Sequence, residues 1–176
     1  MMMKGTYRPR SAYRLMSLLS VLLFICVTAT VNAQEPPPRP VIITANASQP
    51  LAFGAFSPGI SGGTITVTPS ATRSSTGSVV LLSMGYTYTP AMFYVRANRG
   101  TVLSLLGNPP VTLTGSGGGT ITLQISGSQP ASPFVTTLPW PQQTTLLVGG
   151  ILTVGNIASN PPGTYSGSFT ITLVRE

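Results

Sequence analysis

The chain has 176 residues, nine Lys or Arg, two Asp or Glu and no His, giving a formal charge of +7; its length suits one domain with an extra segment at one end. Four of the cations, Lys4, Arg8, Arg10 and Arg14, stand ahead of the apolar run Leu15 to Val27, and Val31-Asn32-Ala33 then supplies the small residues of a signal-peptidase site. Removal of residues 1–33 leaves five arginines against two glutamates, a net +3, which excludes a basic stripe able to track a phosphate backbone and so argues against a nucleic-acid partner.

The apolar run is interrupted by Ser17 and Ser20 and is shorter than the ~20 residues that span a bilayer. It therefore reads as a cleavable signal peptide, with Gln34 as the first mature residue and no stable transmembrane anchor afterwards. Cys26 follows Ile25, where a lipidation signal needs a small residue, so it is not read as a lipid-bearing cysteine. The expected address is export to the periplasm, the cell surface or the medium. The mature chain has no Cys, His, Lys or Asp. A domain of about 140 residues buries roughly two-thirds of its unfolded surface and can be stable without disulfides.

Residues 34–40, Q-E-P-P-P-R-P, form a proline-rich lead, poor in donors and too stiff for a sheet interior. A single β domain is expected over residues 41–176. Gly, Pro, Ser or Asn clusters punctuate it every eight to twelve residues, and strands are expected at Val41–Ala47, Leu51–Phe56, Thr64–Thr68, Ser78–Ser83 and Met92–Ala97. Further strands are expected at Val102–Leu106, Thr120–Ser126, Thr144–Val148, Leu152–Val154 and Thr164–Val174. The last is the clearest: Tyr165, Phe169, Ile171 and Leu173 alternate with Ser and Thr, giving one buried and one wet face, and Gly167 in the apolar register marks a bulge or a close backbone approach. Ile65 and Val67, and Ile121, Leu123 and Ile125, repeat the alternation. The consecutive apolar residues of S-V-V-L-L at Ser78 suggest a central strand covered on both sides. Turns are expected at Ser61–Gly63, Gly115–Gly119, Gly149-Gly150 and Asn160–Gly163. The pattern predicts an all-β, antiparallel sandwich of immunoglobulin-like or pilin-like form.

Catalysis near neutral pH needs groups that accept, donate or attack. The mature chain offers no imidazole, thiol or amine side chain, and its carboxylates are Glu35 and Glu176, close to its two ends. Abundant Ser and Thr have no base to activate them, paired carboxylates for glycoside hydrolysis are missing, and neither zinc nor calcium has a ligand set. The expectation is a non-enzymatic protein without catalytic, cofactor or metal residues. The string G-S-G-G-G at Gly115 lacks the Lys-Ser/Thr end of a phosphate loop and reads as a hairpin turn.

Two binding modes stay open. Tyr86, Tyr88 and Trp140 could stack on a sugar, against the plainer reading that they pack at the margin of a core filled by phenylalanines. The strands also lack the charges with which soluble β proteins discourage edge pairing, so their edges are closed internally, covered by loops, or used to join another chain by β-strand addition.

The segments L-A-F-G-A-F-S-P-G at Leu51, G-G-T-I-T-V-T-P-S-A-T-R-S-S-T-G at Gly62, P-A-M-F-Y-V at Pro90, G-G-I-L-T-V-G at Gly149 and P-G-T-Y-S-G-S-F-T-I-T-L at Pro162 occur in that order. Together they resemble the exported bacterial domain of unknown function numbered four-four-zero-two, across Val41 to Val174. That resemblance implies an exported β domain and brings no activity. More distantly, the Leu-x-Phe-Gly opening at Leu51 and the Gly-x-Tyr ending from Gly163 are similar to spore-coat-U-like subunits of chaperone-usher pili. Those are immunoglobulin-like sandwiches missing one strand, which a neighbour supplies. Here the mature chain has no cysteine pair, and Arg175 stands where many such subunits carry an aromatic. By this likeness Val41, Ile43 and Ala45 would be the inward residues of an exchanged strand, and the partners other copies or related surface subunits.

Overall fold

The computed structural model describes residues 39–176; the expected signal peptide and the lead as far as Pro38 lie outside the described residues. Alternation of apolar and hydroxyl residues gives strands throughout, and no helix occurs among the described residues. In chain order the strands are β1 (Ile42–Ala45), β2 (Ala52–Phe53), β3 (Ala55–Ser57), β4 (Gly63–Val67), β5 (Arg73–Gly77), β6 (Val80–Leu82), β7 (Tyr88–Thr89) and β8 (Ala91–Arg96). They continue with β9 (Val102–Leu105), β10 (Val111–Gly115), β11 (Thr120–Gln129), β12 (Phe134–Val135), β13 (Thr144–Val154), β14 (Tyr165–Ser166) and β15 (Leu173–Arg175).

The principal sheet runs β1-β8-β13-β11-β10-β14, antiparallel at every step, with β4 and β5 attached beside β13. β13 is its spine. Thr144–Val148 pairs with β8 and Gly150–Val154 pairs with β4, while β11 lies along the opposite edge across both halves. Gly149-Gly150, expected as a turn, is therefore the point inside a continuous strand where β13 changes partner. The reason is close approach rather than chain reversal. A Cβ on Gly149 would come within 2.8 Å of Pro69 Cδ, and one on Gly150 within 2.9 Å of both Leu123 Cδ1 and Leu51 Cδ2, so glycine is what lets neighbouring chain pack against the strand. A register shift between Ile125 and Gly127 puts a bulge in β11 beside the same point, adding twist where the sheet divides.

Three smaller sheets, β12-β9-β15, β2-β7 and β3-β6, make the second layer. Two apolar clusters lie between the layers. One gathers Ile65, Val67, Leu113, Ile121, Leu152 and Val154 under Phe53, Phe56 and Leu81; the other gathers Phe93, Val95, Leu146 and Val148 under Leu103, Phe134 and Ile171. Leu51 and Phe169 touch both clusters.

Several strand expectations change. Leu51–Phe56 divides into β2 and β3 at Gly54, whose φ of +68° breaks the ladder. S-V-V-L-L is no central strand: Val79 is buried and Val80 lies on the outer surface, because β6 belongs to a two-stranded piece of the second layer. The closing segment keeps its alternation, with Tyr165, Phe169, Ile171 and Leu173 turned inward. Only its two ends form ladders, β14 with β10 and β15 with β9, because the segment crosses from one sheet to the other. Gly167 sits where a Cβ would meet Leu113 Cδ2 at 2.7 Å, a close approach. Two turns form as expected: Gly118 and Gly119 carry positive φ between β10 and β11, and Asn160 is held by its own side chain, Nδ2 donating to Thr120 O at 2.7 Å.

Candidate functional site

The second layer is incomplete between β2–β3 and the closing segment. There the surface opens into a groove of about 1020 Å³. Leu51 to Pro58 forms one wall and Gly163 to Phe169 the other, while Phe93, Leu113, Leu123 and Leu152 of the principal sheet line its floor. No Lys, Arg, Asp or Glu lines it. Its rim carries Met84, Tyr86 and Ile157, which are among the most exposed large apolar residues described.

The second wall has an open backbone edge. β14 pairs with β10 alone, and that ladder stops at Ser166. Among the described residues no backbone N–H from Gly167 to Ile171 donates to another backbone group, and the stretch receives a single side-chain bond, from Asn108 Nδ2 to Thr170 O at 2.7 Å. Inward side chains are thus anchored in the core, while among the described residues the backbone between the two ladders has no backbone partner and Thr170 O alone has a side-chain one. The opposite wall is braced from outside. Arg73 Nη1 donates to Phe53 O at 2.9 Å and Nη2 to Leu82 O at 3.3 Å, and the guanidinium lies 4.9 Å from the centroid of the Tyr88 ring. This cation joins β2 to β3–β6 across the break at Gly54.

Val41, Ile43 and Ala45 fall on or beside β1, which pairs along one edge with β8 of its own chain, Ile43 opposite Val95 and Ala45 opposite Phe93. Val41 and Ile43 pack half-buried on the second apolar cluster, whereas Ala45 is exposed and stands at the mouth of the groove. The strand is shorter than Val41–Ala47 because Asn46 bends the chain: its Oδ1 accepts from Ser48 N at 3.0 Å and its carbonyl from Gln49 N. The Asn46 amide also faces Tyr94 Oη at 3.3 Å and so is engaged within the fold.

The three aromatics do not form one platform. Tyr86 is 69% exposed on the groove rim, and Tyr88 has Arg73 over its ring. Both precede the Ala91 end of β8. Trp140 leads into β13, whose Thr144 is opposite Val95 near the other end of β8, and Arg39 lies 5.7 Å over its ring. What the residue patterns missed is the groove itself, which depends on where the closing segment leaves its sheet.

A family model described as a domain of unknown function (DUF4402) matches residues 43–174, almost the whole of the region built here from strands. The chain belongs to this family. The match takes in β1 from Ile43, both walls of the groove and β13 with its two central glycines, so the groove lies wholly within the DUF4402 domain. No curated protein and no solved structure matches the chain.

Proposed function

We propose that this DUF4402 domain is an exported, non-enzymatic structural or adhesive subunit of the bacterial surface, of pilin-like type, which joins other subunits by β-strand addition. The observation that carries the reading is the uncharged groove walled on one side by chain with no backbone partner. An extended segment laid there would find main-chain hydrogen bonds along the edge and apolar seats for alternate side chains; each Val or Ile buried would contribute about 1.5–3 kcal/mol. Export is supported by the basic, apolar and small-residue order of the first 33 residues, and the non-enzymatic part by a mature chain without His, Cys, Lys or Asp.

Sedimentation of the purified mature protein over a wide concentration range tests this. Self-association into dimers or longer species is expected, and a strictly monomeric protein at the highest concentration would remove self-association from the account. Hydrolytic activity in cleanly purified protein would overturn the non-enzymatic part.

A further inference from the structure

No basic stripe runs along the sequence, but folding gathers the scattered cations at one end of the sandwich. Arg39 stands just before β1, and Arg96 closes β8 as the register partner of Ile42. Arg99 follows in the turn between β8 and β9, and Arg175 lies opposite Leu103 near the start of β9. These are four of the five arginines that follow residue 33; the fifth, Arg73, is committed to its brace beside the groove. The Ala45 end of β1 reaches the uncharged groove, whereas the four arginines surround the end at which β1 begins.

Their charge is not used up within the fold. The turn from Asn98 to Thr101 is pinned by its backbone, Thr101 N donating to Asn98 O at 3.2 Å and Gly100 N to Thr136 O at 2.7 Å, and Arg99 is exposed on it, as are Arg39 and Arg175. Half-buried Arg96 meets the neutral amide of Gln143, whose oxygen, turned toward it, accepts from Nε at 3.0 Å. Among the described residues the one carboxylate side chain is that of Glu176, which turns along β9 so that Oε1 accepts from Ser104 Oγ. Residues 137–143 cross this same end from β12 to β13. Within them Gln142 N donates to Pro139 O at 2.8 Å, a tight turn with Trp140 at its tip, and Leu138 is 37% exposed.

We propose that this end of the domain docks on an anionic lipid surface, with Arg39, Arg96, Arg99 and Arg175 on the headgroup phosphates and Trp140 and Leu138 at headgroup depth. Cations meet anionic headgroups, and an amphipathic indole ring suits the level where hydrocarbon gives way to water. An acidic polysaccharide fits less well, because a polymer chain is gripped by side chains that line a cleft. Here the arginines are set around a loop, and neither the groove nor the smaller hollow beside Leu105–Asn108 includes any of them. Lipid docking uses no residue of the groove, so it and strand addition stand or fall separately.

Trp140 is the only tryptophan of the chain, so its emission reports on this end alone. Mature protein mixed with vesicles of phosphatidylglycerol and phosphatidylcholine in equal parts is expected to co-sediment with them, and Trp140 emission to move to shorter wavelength. Binding to phosphatidylcholine alone should be at least about tenfold weaker. Raising salt from ~0.1 M to ~1 M, which shortens the screening length from about 10 Å to about 3 Å, should release the protein. Arg99→Gln/Arg175→Gln removes two exposed cations and is expected to weaken binding by about tenfold or more. Adding Thr112→Lys and Gln124→Lys to that variant restores the net charge on the exposed face of β10 and β11 and should not restore binding. Recovery of binding there, or binding of the native protein without a Trp140 shift, would place the contact elsewhere and overturn the proposal. So would failure to bind the anionic vesicles, including the case in which soluble polygalacturonate binds and moves the Trp140 emission instead. Should the variants fail to fold, the Trp140 shift of the native chain decides.

Discussion

Phe169 meets Phe93 edge to face, with ring centroids 6.2 Å apart and ring planes at 76°. Phe93 belongs to β8 in the principal sheet, and Phe169 stands in the middle of the stretch that has no ladder of its own. The pair therefore holds the closing segment over the floor of the groove by side-chain packing, next to the one hydrogen bond from Asn108 Nδ2 to Thr170 O. This is how a length of backbone can be fixed in place and still offer its hydrogen-bonding groups.

Phe169→Ala removes that anchor and opens a cavity between the two apolar clusters. A fully buried Phe→Ala change costs about 3–5 kcal/mol, and a half-buried one about 2–3 kcal/mol on the same scale; Phe169→Leu should cost less than half of that. Denaturant unfolding measures both. A loss below about 0.5 kcal/mol for the alanine variant, the level of an ordinary surface change, would show that the segment is held some other way.

Gly54 and Arg73 should be energetically coupled. A Cβ at Gly54 would overlap Arg73 Nη1, and Gly54 also has positive φ. Gly54→Ala is expected to strain the backbone and displace the guanidinium from Phe53 O and Leu82 O, while Arg73→Ala loses those bonds directly, at about 1–3 kcal/mol. The double variant should cost less than the sum by roughly 0.5–3 kcal/mol. Strict additivity in a double-mutant cycle would deny the brace.

Gly150→Val tests the reading of β13 as one strand. A turn glycine without positive φ would accept valine at small cost. Inside the strand, the new side chain must displace Leu123 and Leu51, at about 1–3 kcal/mol for overpacking. Thermal unfolding distinguishes the two, and an unchanged melting temperature would contradict the packed position.

Thr136 is 1% exposed; its Oγ1 donates to Asn98 O at 2.6 Å and accepts from Thr101 N at 3.2 Å. Thr136→Val keeps the shape and removes the hydroxyl. A loss of about 1–3 kcal/mol is expected, the cost of leaving buried polar groups without their partner, measurable by denaturant titration.

The all-β class was legible because strands such as Thr64–Val67 and Thr120–Ile125 alternate: Ile65, Val67, Ile121 and Leu123 are buried, while Thr64 and Thr66 are half-buried and Thr120, Thr122 and Gln124 are exposed. Burial also alternates through the closing segment as its sequence suggests. Ladder formation there was not legible, since alternation reports which face is buried and says nothing about which edge is paired. β5, R-S-S-T-G, carries no apolar alternation because it is an outer strand bonded only to β4. β10 does alternate, Val111 and Leu113 against threonines, but its five residues lie between the Pro109-Pro110 and glycine turn signals. Gly149-Gly150 misled because glycine serves turns and close packing alike, and only the neighbours Pro69, Leu51 and Leu123 decide between them. The groove needed all of these placements at once.

Amide hydrogen exchange at Gly167–Ile171 tests strand addition most directly. In dilute monomer these five amides, with no backbone acceptor, should exchange much faster than those of β13. At concentrations where the protein associates, those facing the groove should slow by about tenfold or more, equivalent to about 1.4 kcal/mol. Association with no change in their exchange would contradict the account, because the subunits would then be meeting elsewhere.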